Sequence, residues 1–327
     1  MEQSVPFLKL NDNEFNSFIN NSPRDITKMS IMPSANQITL IDKMNHHIKN
    51  FNSFQFEPSE GFESPINCNY YNCSEFQGQK FEEKSFFSII DLNIHSINLH
   101  IEDLRLLLSE LKFKFDIIAI TETKLKCPPI VDISLEGYLP PIHSFTKSEK
   151  GGTLLYIADS ITFKPRNDLE ISEPKLIEST FIEIINKRES NTIIGVLYRH
   201  PTMDPDDFNN IFLKSLLDKL SKVKNKKNFI VGDFNFNLLN LTSHEQTKMF
   251  YSNLPSNLFL PAIILPTKIN NVNNTLIDNI FSNQINPSTI SGNLSVNISD
   301  GHLPSFCLIP NKKTDLLPKK TKSSKEI

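Results

Sequence analysis

The sequence lacks the features that mark several classes of protein. Its four cysteines form no CxxC pair and no Cys/His zinc spacing, which excludes the common zinc modules. It shows no signal peptide, no apolar run long enough to span a membrane and no repeat of solenoid or propeller length. The net charge of −3 creates no global positive field that would indicate a nucleic-acid ligand, although a local basic cleft would not show in that sum. We therefore expect a soluble nuclear or cytoplasmic protein with reduced thiols.

Composition divides the 327 residues into three parts. Residues 1–84 are rich in Asn, Ser and Phe and keep no helical or strand period, which predicts a mostly disordered segment. Residues 85–310 carry regular apolar patterns and are expected to form one folded domain. Residues 311–327 hold six lysines and predict a solvated tail, with a phosphate-contacting arm as the alternative.

The domain alternates apolar strands with helices in a mixed order. SFFSIIDLNI and FDIIAITET read as buried strands around the helix IEDLRLLLSELKF, and GGTLLYIAD, STFIEII and TIIGVLYRHP read as consecutive antiparallel strands. DDFNNIFLKSLLDKL predicts an amphipathic helix capped by Asp206 or Asp207. Its predicted apolar side carries Phe208, Ile211, Phe212, Leu216 and Leu220. This order favours two stacked, mostly antiparallel sheets covered by helices over a doubly wound parallel sheet.

The segment GDFNFN, which follows the apolar run FIV, ends a strand in polar residues. Because side chains alternate along a strand, Asp233 and Asn235 should face one side while Phe234 and Phe236 face a core. A carboxylate and an amide placed in this way can take a proton from a water molecule and orient it. The alternative is that both residues merely form a turn.

Other strand ends carry matching chemistry. Glu122 follows IIAIT and suits a hard cation such as Mg²⁺, which prefers oxygen ligands. A metal, a base and hydrogen-bond donors are what displacement at phosphorus requires. The remaining polar residues that could line the same cleft are Asn93, Tyr198, Asp278, Asp300 and His302.

Taken together, these segments resemble the endonuclease/exonuclease/phosphatase superfamily, in particular the apurinic-type endonuclease domain of LINE-type non-LTR retrotransposons. The resemblance runs from about Phe86 to Pro310 and includes DLNIHSI, FDIIAITETKLK, LYRHP, FIVGDFNFNLLN, LPTKI, TLIDNIFSN and ISDGHLPSF, in that order. It implies an α/β fold, a four-layer sandwich of two sheets between helices. It also implies a monomer, without membrane association, that uses Mg²⁺ to nick one strand of double-stranded DNA and leaves a 3′-hydroxyl.

The resemblance further implies roles for the polar residues at the metal and at the attacking water. Glu122 would be the principal Mg²⁺ ligand, and Asn93 would help to hold the metal and the DNA phosphate. Asp300 would lie near the metal. Asp233 would be the general base, with Asn235 orienting the water that it activates.

The same resemblance assigns residues to the phosphate. Tyr198 would donate to it, and Asp278 would orient His302, which would stabilise the charge that grows on the pentacoordinate phosphorus. Thr267 would contact the DNA backbone.

The chain departs from the family at Ser299-Asp300-Gly301-His302, because Asp and His are adjacent in the family and Gly301 separates them here. One extra residue reverses the faces on which the following side chains emerge unless a bulge absorbs it. Either the loop absorbs Gly301 and both groups remain usable, or one is misplaced. His95 stands where the related elements commonly have Arg, and Lys124 where they commonly have Trp.

Three functions remain open on the sequence alone. The first is an active Mg²⁺-dependent endonuclease in a truncated or derived retroelement that lacks its reverse transcriptase. The second is a catalytically dead DNA-binding remnant, which the inserted Gly301 would favour. The third is another phosphoesterase of the superfamily that acts on a phosphorylated small molecule or lipid.

Overall fold

A computed structural model describes residues 67–126, 129–144, 151–187, 189–223, 226–269, 274–296 and 298–311. The expectations for residues 1–66 and for 312–327 fall outside these ranges. Within the ranges, Cys68, Cys73 and Cys307 are buried free thiols. No helix in this part of the chain has the length and apolar character needed to cross a bilayer.

Thirteen strands and four principal helices make up the described part of the fold. The strands are β1 (Asn67–Tyr71), β2 (Phe86–Asn93), β3 (Ile117–Thr121), β4 (Ile142–His143), β5 (Thr153–Ile157), β6 (Phe163–Pro165), β7 (Ile177–Ile184), β8 (Thr192–Arg199), β9 (Lys227–Asp233), β10 (Leu260–Pro261), β11 (Asp278–Ser282), β12 (Ile290–Leu294) and β13 (Ser305–Pro310). The helices are α1 (Cys73–Gly78), α2 (Ile97–Leu111), α3, which joins Pro205–Asp207, Phe208–Leu213 and Lys214–Lys222, and α4 (Glu245–Asn253). Short 3₁₀ turns lie at Glu83–Ser85, Leu238–Asn240 and Pro255–Asn257.

The strands form two mixed sheets, as expected for a four-layer α/β sandwich. The larger sheet has the order β1-β12-β13-β2-β3-β5-β4, and the smaller one β10-β11-β9-β8-β7-β6. Only the pairs β1–β12, β2–β3 and β8–β9 are parallel. The predicted run of antiparallel strands is split between the sheets, because β5 pairs with β3 while β7 pairs with β8.

The core between the two sheets is apolar at one end and polar at the other. Phe87 of β2 packs against Phe229 of β9, with ring centroids 5.5 Å apart. Further along the same faces, alternation brings Asp91 and Asn93 of β2 and Asp233 of β9 toward the opposite end. The strands therefore begin in packed aromatic residues and end in buried polar ones.

Helices cover the outer faces of both sheets. Ile90 and Leu92 on the outer face of β2 belong to a core cluster with Ile101 and Leu104 of α2. On the other side, Phe250 of α4 stacks on Phe236 with centroids 4.6 Å apart and ring planes 7° from parallel. Phe234 and Phe236 are thus buried in a core beneath the smaller sheet, as expected, although β9 ends at Asp233 and the two residues lie beyond it.

The folded part begins earlier than the composition indicated. Residues 67–84 were assigned to the disordered segment, but β1 pairs in parallel with β12 and α1 is closed by a capping box between Asn72 and Glu75. Phe76 of α1 is 2% exposed and packs edge to face on Phe306 of β13. The Asn-rich composition gave no sign of β1 and α1, which are held in place by strand pairing and by a few buried aromatic side chains.

Helix α3 differs from its predicted phase and cap. Asp204, not Asp206 or Asp207, is the N-cap, and its side chain accepts hydrogen bonds from the backbone N–H groups of both. The middle of the helix, Phe208–Leu213, is π-helical, which adds a residue to the turn. The extra residue rotates Ile211 to the surface, where it is 57% exposed, and brings Leu213 into the core.

Candidate active site

Five neighbouring strand ends meet where the two sheets part. In the larger sheet, Asn93 at the end of β2 is paired with Thr121 at the end of β3, directly before Glu122. In the smaller sheet, Tyr198 of β8 is paired with Asp233 of β9, which is paired with Asp278 of β11. The register therefore brings Asn93 beside the end of β3 in one sheet and aligns Tyr198, Asp233 and Asp278 in the other.

Asn93 connects the two sheets. Its side-chain nitrogen donates to Glu122 Oε1 and to Asp233 Oδ2, both at 3.0 Å, and Asn93 is 1% exposed. Its oxygen accepts a hydrogen bond of 3.1 Å from the backbone N–H of His95. The Asn93 nitrogen therefore orients the carboxylate of Glu122, and a part for Asn93 in holding the metal stays a prediction.

The two carboxylate oxygens of Glu122 have different partners. Oε1 accepts hydrogen bonds from Asn93 and Tyr198, and Oε2 faces His95. Tyr198 donates from its hydroxyl to Glu122 Oε1 over 3.1 Å, beside the bond from Asn93. Burial, reinforced by the charge of Glu122, raises the pKa of Tyr198, so its phenol stays protonated and acts as a donor. Glu122 Oε2 lies 3.3 Å from His95 Nδ1.

Asp233 is a buried carboxylate with the properties of a base that works near neutral pH. It is 1% exposed, and its Oδ1 accepts a 2.8 Å hydrogen bond from the backbone N–H of Asn235. Burial, then repulsion from Asp278, raises the pKa of Asp233 to about 8, against the opposing charge of His302. A carboxylate with a pKa close to the working pH combines sufficient deprotonated fraction with sufficient basicity.

His302 and Asp278 form the buried pair that the resemblance implied. His302 Nδ1 lies 3.3 Å from Asp278 Oδ2, and the two residues are each 3% exposed. Burial alone would lower the pKa of His302, but the Asp278 carboxylate and its hydrogen bond, with help from Asp233, raise it. This shift is toward the charged imidazole, the form that could stabilise an anionic phosphorane.

Thr267 takes a different place from the one predicted. It is fully buried, and its hydroxyl donates to Asp278 Oδ2 over 2.7 Å while accepting from the backbone N–H of Asp278. With 0% of its surface exposed, it has no face to present to a DNA backbone. It instead fixes the carboxylate that holds His302.

The inserted Gly301 is absorbed by a tight turn. His302 donates its backbone N–H to Ser299 O over 2.7 Å, so Asp300 and Gly301 are the two central residues of the turn, with φ of 34° and 79°. Such a turn requires positive φ at both positions, and glycine supplies it without strain. The insertion therefore leaves His302 on Asp278 and lifts Asp300 into solvent, where its side chain is 69% exposed.

Asn235 reaches the site through a turn and not through a continued strand. Strand β9 ends at Asp233, and Asn235 has a left-handed backbone with φ of 52°. Its side-chain nitrogen donates to Arg199 O over 2.5 Å. Arg199, which the sequence analysis passed over, lies directly beneath this turn and is 3% exposed.

Asp91 is a second residue that the sequence reasoning missed. It lies two residues before Asn93 on the face of β2 between the sheets, so the period of two could have found it. Asp91 is 1% exposed, and neither carboxyl oxygen has a hydrogen-bond partner among the described residues. Burial, then the charges of Asp278 and Asp233, raises its pKa well above the ordinary range.

Two sets of residues are candidates for holding a cation. One oxygen of Asp233, one of Asp278 and a ring nitrogen of His302 lie within 4.8 Å of one another. That set is fully buried, and His302 Nδ1 and Asp278 Oδ2 already face each other at 3.3 Å. Glu122 is more suitable, because its side chain is 15% exposed and one of its oxygens is free of the Asn93 and Tyr198 donors. Its donor chemistry fits a divalent ion that keeps several waters.

A cleft of about 1060 Å³ lies at the opposite end of the sandwich, where β2, β8 and β9 begin. Phe87, Phe229 and Lys227 line it, and the predicted site residues do not. This cleft is therefore not the candidate active site.

Comparison with known proteins assigns the fold to a family. Residues 92–299, more than half of the chain, match the model of the Endonuclease/Exonuclease/phosphatase family. No curated protein is similar enough in sequence to match the chain.

Solved structures show the same fold at low sequence identity. The AP endonuclease LMAP from Leishmania major has a TM-score of 0.55 at 11% identity, covering 72% of this chain and 90% of its own. A truncated Caenorhabditis elegans TDP2 has a TM-score of 0.51 at 9% identity, covering 69% and 99%. The endonuclease domain of TRAS1, a telomere-specific non-LTR retrotransposon, has a TM-score of 0.49 at 14% identity, covering 69% and 98%. From the family match, the chain belongs to the endonuclease/exonuclease/phosphatase family.

Proposed function

We propose that this protein hydrolyses phosphodiester bonds of double-stranded DNA, nicking one strand and leaving a 3′-hydroxyl, with Mg²⁺ as the expected cofactor. One observation carries the proposal: Glu122, Asn93, Asp233 and Tyr198 are joined by hydrogen bonds into one group, with His302 held beside Asp233. A carboxylate for a cation, a base and a cationic donor are thereby placed together.

In the proposed reaction, Asp233 takes a proton from water as the water oxygen attacks phosphorus. Asp233 Oδ2 is held by Asn93 and Oδ1 by the backbone of Asn235, so the carboxylate cannot rotate away from the attacking water. The P–O3′ bond then breaks, the leaving oxygen gains a proton to become the 3′-hydroxyl, and the phosphate stays on the 5′ side.

His302 would stabilise the negative charge that accumulates on the non-bridging phosphate oxygens. Asp278 raises its pKa and fixes the ring by the contact at Nδ1, which leaves Nε2 as its other possible donor. Tyr198 holds Glu122 through its hydroxyl, and it would donate to the phosphate only after releasing that contact. A divalent cation held at Glu122 would supply Lewis-acid stabilisation of the phosphoryl oxygen when bound.

The Gly301 turn bears on the choice between this proposal and an inactive remnant. Because the turn keeps His302 on Asp278, the insertion does not by itself remove a catalytic group. This geometry supports an active enzyme over a protein that only binds DNA.

The test is nicking of supercoiled plasmid by the purified full chain with Mg²⁺. We expect open circles whose nicks a DNA polymerase can extend, which reports a 3′-hydroxyl. Asp233→Ala should abolish nicking, whereas Asp218→Ala, a change at an exposed site on α3, should not. DNA binding without nicking would favour the remnant, and hydrolysis of small phosphoesters without nicking would favour a different phosphoesterase.

A further inference from the structure

His95 occupies a position between two carboxylates at the edge of the candidate site. Its Nδ1 lies 3.3 Å from Glu122 Oε2, and its Nε2 lies 3.2 Å from Asp300 Oδ2. The imidazole is 44% exposed, so an ion and its waters can reach it. From this geometry we infer that His95 is a nitrogen ligand of the cation held at Glu122, and that Asp300 orients it from outside the ligand shell.

The distance between His95 and Glu122 fits two ligands of one ion. Ligand atoms at adjacent positions around a small divalent ion, each about 2.1 Å from it, lie roughly 3 Å apart. The observed 3.3 Å between Nδ1 and Oε2 is close to this spacing. The two atoms could close on one ion with a small rotation of either side chain.

Asp300 is placed as the partner of the other ring nitrogen. A metal-binding histidine commonly donates its second N–H to a carboxylate, which sets the tautomer and the ring orientation. Asp300 Oδ2 faces Nε2, the nitrogen away from Glu122, at 3.2 Å. Asp300 would then lie near the metal, as the resemblance implies, and would act by orienting His95.

The loop that carries His95 is built to hold this position. His95 has a left-handed backbone with φ of 56°, and its N–H is bound by Asn93 Oδ1. The side-chain nitrogen of Asn93 in turn holds Glu122. The Asn93 amide therefore positions both Glu122 and His95 before an ion binds.

Gly301 gains a role in this arrangement. The two-residue turn that it permits directs the exposed Asp300 toward His95 while His302 stays buried. The inserted residue thus accompanies a histidine in place of the arginine that is common at this position in the related elements. The structure links the two departures through one contact.

The consequence is a changed preference among divalent ions. An all-oxygen site suits Mg²⁺, whereas an imidazole ligand shifts the preference toward first-row transition metals, of which Mn²⁺ gains least and serves here as the paramagnetic probe. We expect Mn²⁺ to bind more tightly than Mg²⁺ through His95. This inference rests on the proposed function for the position of the cation, but it can be tested without any nicking.

The test measures Mn²⁺ binding to the full-length protein by electron paramagnetic resonance. Pulsed spectra of bound Mn²⁺ should show modulation from a directly coordinated ¹⁴N nucleus, and His95→Ala should remove it. His95→Ala should lower Mn²⁺ affinity at least tenfold and change Mg²⁺ affinity less. Asp300→Asn should weaken Mn²⁺ binding about 10- to 100-fold while keeping the nitrogen signal.

A matched pair on α2 provides the control. His100 Nδ1 lies 3.0 Å from Asp103 Oδ2, which is also a histidine–carboxylate pair. His100→Ala and Asp103→Asn should leave Mn²⁺ binding unchanged. Absence of Mn²⁺ binding, absence of a ¹⁴N signal, or full affinity in His95→Ala would overturn the inference. If His95→Ala kept full Mn²⁺ affinity while the original protein nicked DNA with Mg²⁺, the inference would fail and the proposed function would stand. If bound Mn²⁺ gave a ¹⁴N signal that His95→Ala removed but no nicking occurred, the inference would stand and the proposed function would fail.

Discussion

Arg199 and Asn235 hold each other through reciprocal hydrogen bonds. The Asn235 side chain donates to the carbonyl of Arg199 over 2.5 Å, and the Arg199 guanidinium donates back to the carbonyl of Asn235 over 3.3 Å. The same guanidinium lies 4.4 Å from the centre of the Phe236 ring and donates to Met203 O. The turn that follows Asp233, the proposed base, is therefore fixed from below by one buried cation.

Replacing Arg199 should reduce the rate of nicking more than the binding of DNA. Burial lowers the pKa of Arg199 to about 10, but it remains charged at neutral pH. Arg199→Lys keeps a charge and loses the planar fork, so the turn should shift and kcat should fall on the order of 10²-fold with little change in KM. Single-turnover and steady-state nicking kinetics would measure both constants.

Arg166 provides the control for this change. It is also a paired arginine, with its side chain 14% exposed, but it binds Asp168 and Glu183 away from the site. Arg166→Lys should lower the melting temperature and leave kcat unchanged. Equal losses of kcat in the two variants would indicate a general loss of packing instead of a defect at Asn235.

The pH dependence of nicking should report on Asp233. Because burial and Asp278 raise its pKa, the base form is lost as pH falls through the raised value, and the rate should rise with pH through that range. Asp278→Asn removes a negative charge that raises the Asp233 pKa, so the rising limb should move to lower pH. Its maximum rate should also fall, because His302 loses its partner.

Rate profiles between pH 5 and 10 at saturating metal would test this shift. Asp159→Asn, a change at an exposed residue, should leave the limb in place. A limb that stays fixed in Asp278→Asn would show that another group controls the observed titration.

Gly301→Ala should damage the turn. A Cβ atom at this position would lie 2.1 Å from the carbonyl oxygen of Ile269, and φ is 79°, so both space and backbone conformation oppose it. We expect a loss of about 1–3 kcal/mol in the free energy of unfolding and reduced nicking. Deletion of Gly301 should also reduce activity, because the two-residue turn can no longer close.

Gly78→Ala is the matched control, because a Cβ atom there meets nothing within 4 Å. Chemical unfolding and plasmid nicking should show this variant to be close to the original protein. Higher activity after deletion of Gly301 would contradict the turn as described and show that the insertion disables the site.

Asp91 should make the fold less stable as pH rises. Its folded-state pKa is raised well above the ordinary 3.8, so the protonated form favours folding at low pH and this contribution is lost as pH rises toward the folded value. Asp91→Asn cannot ionise, so its melting temperature should exceed that of the original protein by a margin that grows with pH above about 4.

Asp116→Asn tests whether any buried carboxyl would behave in this way. Burial raises the pKa of Asp116 too, but hydrogen bonds from the backbone and hydroxyl of Ser88 to Oδ2 oppose the shift, so the gain in melting temperature of its amide variant should grow less with pH. A melting temperature of Asp91→Asn that runs parallel to the original across the pH range would contradict the assignment.

Much of this architecture follows from local patterns. The period of two along β2 and β9 predicts which side chains face the space between the sheets, and the polar residue at each strand end predicts the site. The phase of α3 could be read only in part: Leu216 and Leu220 are buried as predicted, but the π-helical stretch leaves Ile211 exposed. Arg199 was hidden by its place beside Tyr198, since nothing local indicates that its side chain turns back under Asn235.

Contacts between distant segments explain the other differences. Thr267 and Asp278 are eleven residues apart in sequence. Only the folded chain shows that the threonine hydroxyl donates a hydrogen bond to the carboxylate of Asp278. The sequence was compatible both with a loop that absorbs Gly301 and with a displaced His302. Only the observed turn at Asp300 and Gly301 distinguishes the two. Side-chain direction in loops was thus the part that pattern alone could not supply.

The order of strands in the larger sheet sets a practical boundary for experiments on fragments. The family match covers residues 92–299, yet β2 begins at Phe86 and pairs with β13, which begins at Ser305. A fragment cut at the ends of the match would lose these two adjacent central strands and the Phe76–Phe306 contact with them. Every described strand is retained only by a fragment that extends at least from Asn67 to Pro310.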